Sequence, residues 1–129
     1  DNVGVYRTEE TMTQAVERLG ELRHRFNTEI SIDDTGYKFN TDLMEAWELG
    51  CLLDLAEVTA VSALNRKESR GAHSRDDYKA RDDDNWLVHT LVTREGDAET
   101  PNYSVNINKK VDLSLMDQDK RFTPKERVY

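Results

Sequence analysis

The chain has a single cysteine, Cys51, in 129 residues. That excludes an internal disulfide and fits a reducing compartment. Cys51 lies in an apolar stretch, so the expectation is a small buried hydrophobe rather than a reactive thiol. No apolar run approaches the roughly 20 residues that a membrane-spanning helix needs. The first residues, Asp1-Asn2-Val3-Gly4, show neither a basic n-region nor an apolar h-region, so no signal peptide is read there. No lysine–arginine block stands alone. With a formal net charge of −8, sequence-independent binding to nucleic acid is not expected. Apolar residues are scarce too, at 36% against 34% charged. One domain with a modest core fits that balance, with part of its apolar surface covered by a neighbour.

Motifs for small-molecule chemistry are missing as well. There is no Gly-x-Gly-x-x-Gly, no Walker-type loop and no Gly-x-Ser-x-Gly elbow. The three histidines, His24, His73 and His89, have no zinc-ligand spacing. Asp82-Asp83-Asp84 fails as a calcium loop, because Leu87 stands where the sixth position requires glycine. Helix capping is the better reading of that run. Asn102-Tyr103-Ser104 matches a glycosylation sequon, read as accidental without a secretion signal. Asp1 to Tyr6 has no initiator methionine and reads like the inside of a chain, so a piece of a longer polypeptide is expected.

What is present is helical periodicity. Thr8 serves as an N-cap before Glu9 and Glu10, where the helix dipole favours acids. Met12, Ala15, Val16, Leu19, Leu22 and Phe26 then form one apolar stripe over about five turns. Glu21 and Arg25 are spaced for an i,i+4 pair. Ile30 and Ile32 alternate with polar residues, and Asp33-Asp34-Thr35-Gly36 reads as a turn. Asn40, Thr41 or Asp42 caps a second helix reaching about Glu68. Its apolar residues, from Leu43 and Trp47 through Leu55 to Leu64, cover more than one face, so it is expected at the centre of a bundle. Gly50 in its middle suggests close approach of another backbone, and Gly71 a left-handed stop. A short helix follows Asp82-Asp83-Asp84. His89–Thr93 and Tyr103–Ile107 read as a hairpin around the Glu95-Gly96-Asp97 turn. Residues 116–121 read as a charged loop and Pro124–Tyr129 as a terminal tail.

The segment from Arg66 to Asp84 carries the most information. It holds six basic and six acidic side chains, and looks like a surface that docks something charged in a fixed register. Arg70 and Arg75 either clamp a carboxylate or phosphate or, more in keeping with the nearby acids, pair with Asp76, Asp77, Asp82 or Asp83. His73 is either a polar contact near a reactive site or a histidine bonded to a loop carbonyl. Trp47 and Trp86 are read as core or interface anchors.

In order, these signals resemble the C-terminal domain of the succinate dehydrogenase and fumarate reductase flavoprotein subunit. The matching residues run Val5-Tyr6-Arg7-Thr8-Glu9-Glu10, Phe39-Asn40-Thr41-Asp42-Leu43, Leu53-Asp54-Leu55-Ala56-Glu57 and Ser62-Ala63-Leu64. The densest match is Arg66-Lys67-Glu68-Ser69-Arg70-Gly71-Ala72-His73 with Arg75, Asp77 and Tyr78. Arg81-Asp82-Asp83, Trp86-Leu87, His89-Thr90-Leu91 and Pro124–Tyr129 complete it. Lys79 departs from the family, which usually has proline there, and residues 92–121 match poorly. L-aspartate oxidase shares the architecture, but His89-Thr90-Leu91 and the ending look more like the dehydrogenase.

The resemblance implies an all-α, spectrin-repeat-like helical bundle: two long antiparallel helices plus a short helix, a small C-terminal β-hairpin and an extended tail. Residues 1–129 would be a single C-terminal domain, with the flavin-binding and capping domains and a first bundle helix upstream. The whole subunit would oxidise succinate to fumarate with covalent FAD and pass electrons to an iron–sulfur subunit and quinone. It would sit on the cytoplasmic, inner face of the membrane without a span of its own. This chain would hold no catalytic, cofactor or metal residue and would be inactive alone. Its partners would be the flavin-binding domain and the iron–sulfur subunit. The interface candidates are Arg66, Glu68, Ser69, Arg70, His73, Arg75, Asp77, Tyr78, Arg81, Trp86 and His89. A fumarate reductase or L-aspartate oxidase domain, or a stand-alone helical adaptor, is the alternative.

Overall fold

The computed structural model describes residues 2–97 and 101–114. Three helices and one hairpin follow in chain order. They are α1 (Glu9–Glu29), α2 (Thr41–Asn65), α3 (Asp83–Trp86), β1 (Leu91–Glu95) and β2 (Asn102–Asn106). The readings of 116–121 and Pro124–Tyr129 lie outside the described residues.

Thr8 starts α1 as expected, through a reciprocal box: Thr11 N–H donates to Thr8 Oγ1 at 3.2 Å, and Thr8 N–H donates to Thr11 Oγ1 at 3.1 Å. Asn40 starts α2, accepting from Leu43 N–H at 2.8 Å. Asp82 starts α3, accepting from Asp84 N–H and Asn85 N–H, so the triple aspartate is a cap. The helices pack antiparallel: Phe26 near the end of α1 meets Gly50 in the first half of α2, and Arg23, a turn earlier in α1, meets Glu57, about two turns later in α2. β1 and β2 pair antiparallel from Leu91↔Asn106 to Glu95↔Asn102 and rest on α2. The first strand begins two residues later than the alternation suggested.

The core is small. Among the described residues its buried apolar members are Met12 and Ala15 of α1 with Leu53, Ala60 and Ala63 of α2. Five expectations change. The second helix is not buried on most sides: Leu43, Met44, Trp47, Leu52 and Leu55 face outward, because α1 and the hairpin cover only the stripe through Leu53, Glu57 and Ala60. Cys51 falls on the uncovered side and is exposed. At Gly50 the close neighbour is a ring rather than a backbone, since an added Cβ would lie 3.1 Å from Phe26 Cζ. Gly71 does not stop the helix, which ends at Asn65 with Arg66 as its cap. Finally, Glu21 and Arg25 pair with Arg18 and Glu29 instead of each other.

With so few apolar groups buried, Met12, at 0% exposure, carries a large share of the packing. Met12→Ala is expected to cost about 3 kcal/mol of unfolding free energy, read as a lower urea midpoint at an unchanged slope.

Candidate functional site

The segment between α2 and β1 folds back on itself around two buried charges. Glu68 and Arg75 are both 0% exposed. The Glu68 carboxylate accepts from Arg66 Nη1, from Arg70 Nε at 2.8 Å and Nη2 at 3.0 Å, and from Asp82 N–H at 2.9 Å. Burial pushes this carboxyl up, but the Arg70, Asp82 and Arg66 donors together hold it below the usual range. Arg70 then reaches Asp83 at 2.6 Å, and Arg81 binds the other Asp83 oxygen at 2.9 Å. Arg66 also donates to Trp86 O and Val88 O and lies 5.4 Å from the Trp86 ring centroid.

Arg75 works at the other side. Its Nη1 donates to Leu64 O and Arg66 O, both at 3.1 Å, satisfying carbonyls at the end of α2. Its Nε and Nη2 grip Asp77 in bidentate fashion at 2.8 and 2.5 Å, and its guanidinium stacks on Tyr78. Asp77 in turn accepts from Glu9 N–H, at the start of α1. The Arg75 bond holds the Asp77 carboxyl at about 2. Ser69 Oγ bridges Tyr78 O and Arg75 N–H.

Between these anchors Arg70 and His73 exchange backbone bonds of 2.8 and 3.0 Å around Gly71-Ala72. Gly71 has φ +58°, and Ala72 is not among the positive-φ residues. This is the pattern of a type II′ two-residue turn, which explains glycine at its first central position. His73 is bonded to a loop carbonyl: its Nε2 lies 3.3 Å from Arg66 O, and its Nδ1 lies 3.0 Å from Arg7 Nη1. Because Arg7 can only donate, Nδ1 accepts and Nε2 carries the proton. Burial, with Arg7, Arg75 and Arg66 close by, lowers the His73 pKa, so the ring is neutral.

Ten of the eleven sequence candidates are therefore brought together, with the arginines paired to acids rather than held open for an anion. His89 stands apart; it is exposed, and its N–H bonds Lys109 O at 2.8 Å. A second charged cluster went unread in the sequence. Arg23 is 6% exposed and bonds Glu57 at 3.2 and 3.0 Å and Asp54 at 2.5 Å. Tyr103 of β2 donates to Glu57 Oε2, and Arg94 of β1 reaches Asp54 at 3.2 Å. Burial and the Glu57 bond push the Tyr103 hydroxyl to about 12. Arg23 falls between Leu19 and Phe26 on the apolar stripe of α1, and Glu57 on that of α2. Opposite charges on facing apolar stripes were the available signal. A cavity of 370 Å³ borders this cluster, walled by Val16, Leu19 and Val61.

The starts of the two long helices do not suit the pyrophosphate of a flavin dinucleotide. Pyrophosphate binds open helix N-termini, but those of α1 and α2 are closed by Thr8 with Asp77 and by Asn40, and Asp77 would repel an anion. Among the described residues no three His, Cys, Asp or Glu side chains gather to hold a metal.

Two substitutions test the segment. Glu68→Ala removes the buried carboxylate shared by Arg66, Arg70 and the Asp82 N–H and is expected to cost about 3 kcal/mol. Asp77→Asn is expected to cost about 1 kcal/mol at neutral pH, because solvent screening at this exposed residue discounts the full worth of lowering 3.8 to about 2. Because the folded pKa is depressed, this contribution is complete above about pH 4 and fades as pH falls through 2. Melting curves of the two proteins should therefore converge in acid.

The match to "Fumarate reductase flavoprotein C-term" covers residues 1–129. The succinate dehydrogenase flavoprotein subunit of Coxiella burnetii is 49% identical over 96 residues, 74% of this chain and 16% of that protein. The subunit of the same name from Rickettsia bellii is 39% identical over 128 residues, 99% of this chain and 21% of that one. Among solved structures, Escherichia coli quinol fumarate reductase superposes with a TM-score of 0.73 at 44% identity, over 84% of this chain and 18% of its own. The chain thus spans about a fifth or less of the length of these relatives. It belongs to the C-terminal family of fumarate reductase and succinate dehydrogenase flavoprotein subunits.

Proposed function

We propose that this chain is the C-terminal helical domain of the FAD-containing subunit of a succinate dehydrogenase, and that its role is assembly rather than chemistry. The whole subunit oxidises succinate to fumarate and hands the electrons to an iron–sulfur subunit and on to quinone. It works at the cytoplasmic face of the membrane, peripherally; among the described residues no helix is long and apolar enough to cross a bilayer.

The observation that carries the assembly role is the closure of the Arg66–Asp84 segment. Glu68 and Arg75 are consumed inside it, which fixes Arg70, Tyr78, Arg81 and the Gly71-Ala72 tip as a rigid outer contour. A contour held by buried ion pairs is suited to docking on the flavin-binding domain or the iron–sulfur subunit. The chain alone is proposed to be inactive.

The first experiment is the mass and absorbance of the native full-length gene product purified from its source. A polypeptide several times longer, yellow with non-extractable flavin and travelling with an iron–sulfur subunit, is expected. A colourless product of about this length would overturn the reading in favour of a helical adaptor. In the full-length enzyme, Arg70→Ala is expected to lower flavin content and subunit association while leaving the KM for succinate unchanged. Normal assembly with a raised KM would contradict the assembly role.

A further inference from the structure

Three parts of the fold meet at the half-buried ring of His73: the chain entering α1, the end of α2 and the Arg66–Asp84 segment. Arg7 Nη1 donates to Nδ1 at 3.0 Å, and Nε2 bonds Arg66 O at 3.3 Å. The Arg7 guanidinium also donates through Nε to Gly4 O at 2.7 Å, so it holds the turn that carries the exposed Val5 and Tyr6. Both of these acceptors on Arg7 are neutral. The arginines further along bind carboxylates instead: Arg66 and Arg70 bind Glu68, Arg75 binds Asp77, and Arg81 binds Asp83.

An imidazole in this place does what a carboxylate would not. Aspartate or glutamate stays an acceptor down to about pH 4, but histidine in water loses its acceptor nitrogen near about pH 6.5. A proton taken up at Nδ1 turns that acceptor into a donor aimed at Arg7, which can only donate. It also adds a positive charge beside Arg7 of the entering chain, Arg66 at the end of α2 and Arg75 of the loop. The carboxylates close by, Glu68, Asp77 and Glu9, face Arg66, Arg70 and Arg75 rather than the ring.

Burial, reinforced by the three arginines, keeps the ring's pKa below its ordinary 6.5. An open arrangement, with the ring in water, therefore binds the proton more tightly than the closed one. Falling pH favours the open form from about pH 6.5 downward, until the lower pKa of the closed form is passed.

We propose that His73 is a proton-released latch: neutral, it ties Arg7 and the Gly4 turn to the Arg66–Asp84 segment, and protonated, it lets them go. The backbone bond from Asp76 N–H to Arg7 O, 2.8 Å long, then stands without the side-chain tie and opens more often. The inference does not depend on the identity of the reaction.

The test is hydrogen exchange of the native full-length protein, read at the Asp76 amide by mass spectrometry, with each rate divided by the intrinsic rate at that pH. Protection is expected to fall at least about tenfold between about pH 7.5 and about pH 4.5, as loss of a hydrogen bond to a charged group implies. The glutamine of His73→Gln offers an oxygen to Arg7 and an N–H to Arg66 O at every pH, so protection in that variant should persist in acid. In Arg7→Gln the donor remains and the charge is gone, so the fall should move to higher pH. Protection that stays flat in the unmodified protein overturns the latch. So does a His73→Gln protein with the original pH dependence, or an unmoved midpoint in Arg7→Gln. Either variant alone decides, so failure of one to fold leaves the test intact.

Discussion

The fold depends on one ion pair that serves both helices at once. Arg75 closes the carbonyl end of α2, and its partner Asp77 closes the amide end of α1. Helix α2 does not supply this itself, having no basic residue in its last turn, and at the start of α1 Asp77 adds to the Thr8 cap. In an antiparallel pair the start of one helix lies beside the end of the other, so opposite helix-dipole charges meet there. A bidentate arginine–aspartate pair placed between them satisfies both ends with two side chains. The parallel bridge between Arg7 and Arg75, and the bond from Asp76 N–H to Arg7 O, then stitch the entering chain to the same point.

Much of this was legible in the sequence where the signal is local. The Thr8, Asn40 and Asp82 caps, the hairpin and the stripe of α1, except for Leu22, which is exposed where Arg23 is buried, follow from short-range chemistry. The family that the chain resembles stood up against the relatives. What was not legible depends on the side from which a neighbour comes. The leucines of α2 look alike whether α1 covers them or not, so Leu52 and Leu55 gave no hint of exposure, and Cys51 shared their fate. Gly71 answers to a turn six residues beyond the helix end. Arg23 and Glu57 could have been found, since a charge on an apolar stripe needs an opposite charge across the interface.

The two charged clusters divide the labour. The Glu68–Arg75 cluster shapes the loop that follows α2. The Arg23–Asp54–Glu57 cluster, reached by Tyr103 and Arg94, fastens the hairpin to the helices. Both are directional, so they fix where each element sits more sharply than five small or flexible apolar residues can. Buried ion pairs add little net stability over apolar packing, but they penalise alternative arrangements that leave a charge unmatched.

The smallness of the core has a thermal consequence. The heat capacity increment of unfolding grows with apolar surface exposed and shrinks with polar surface exposed. A body held by guanidinium–carboxylate contacts around Met12, Leu53 and three alanines gains little of the first and much of the second. Its stability curve is accordingly broad and shallow, with the enthalpy of unfolding changing slowly between cold and warm. Whatever covers the outer face of α2 would steepen that curve, so calorimetric curvature would register contact with the rest of the assembly.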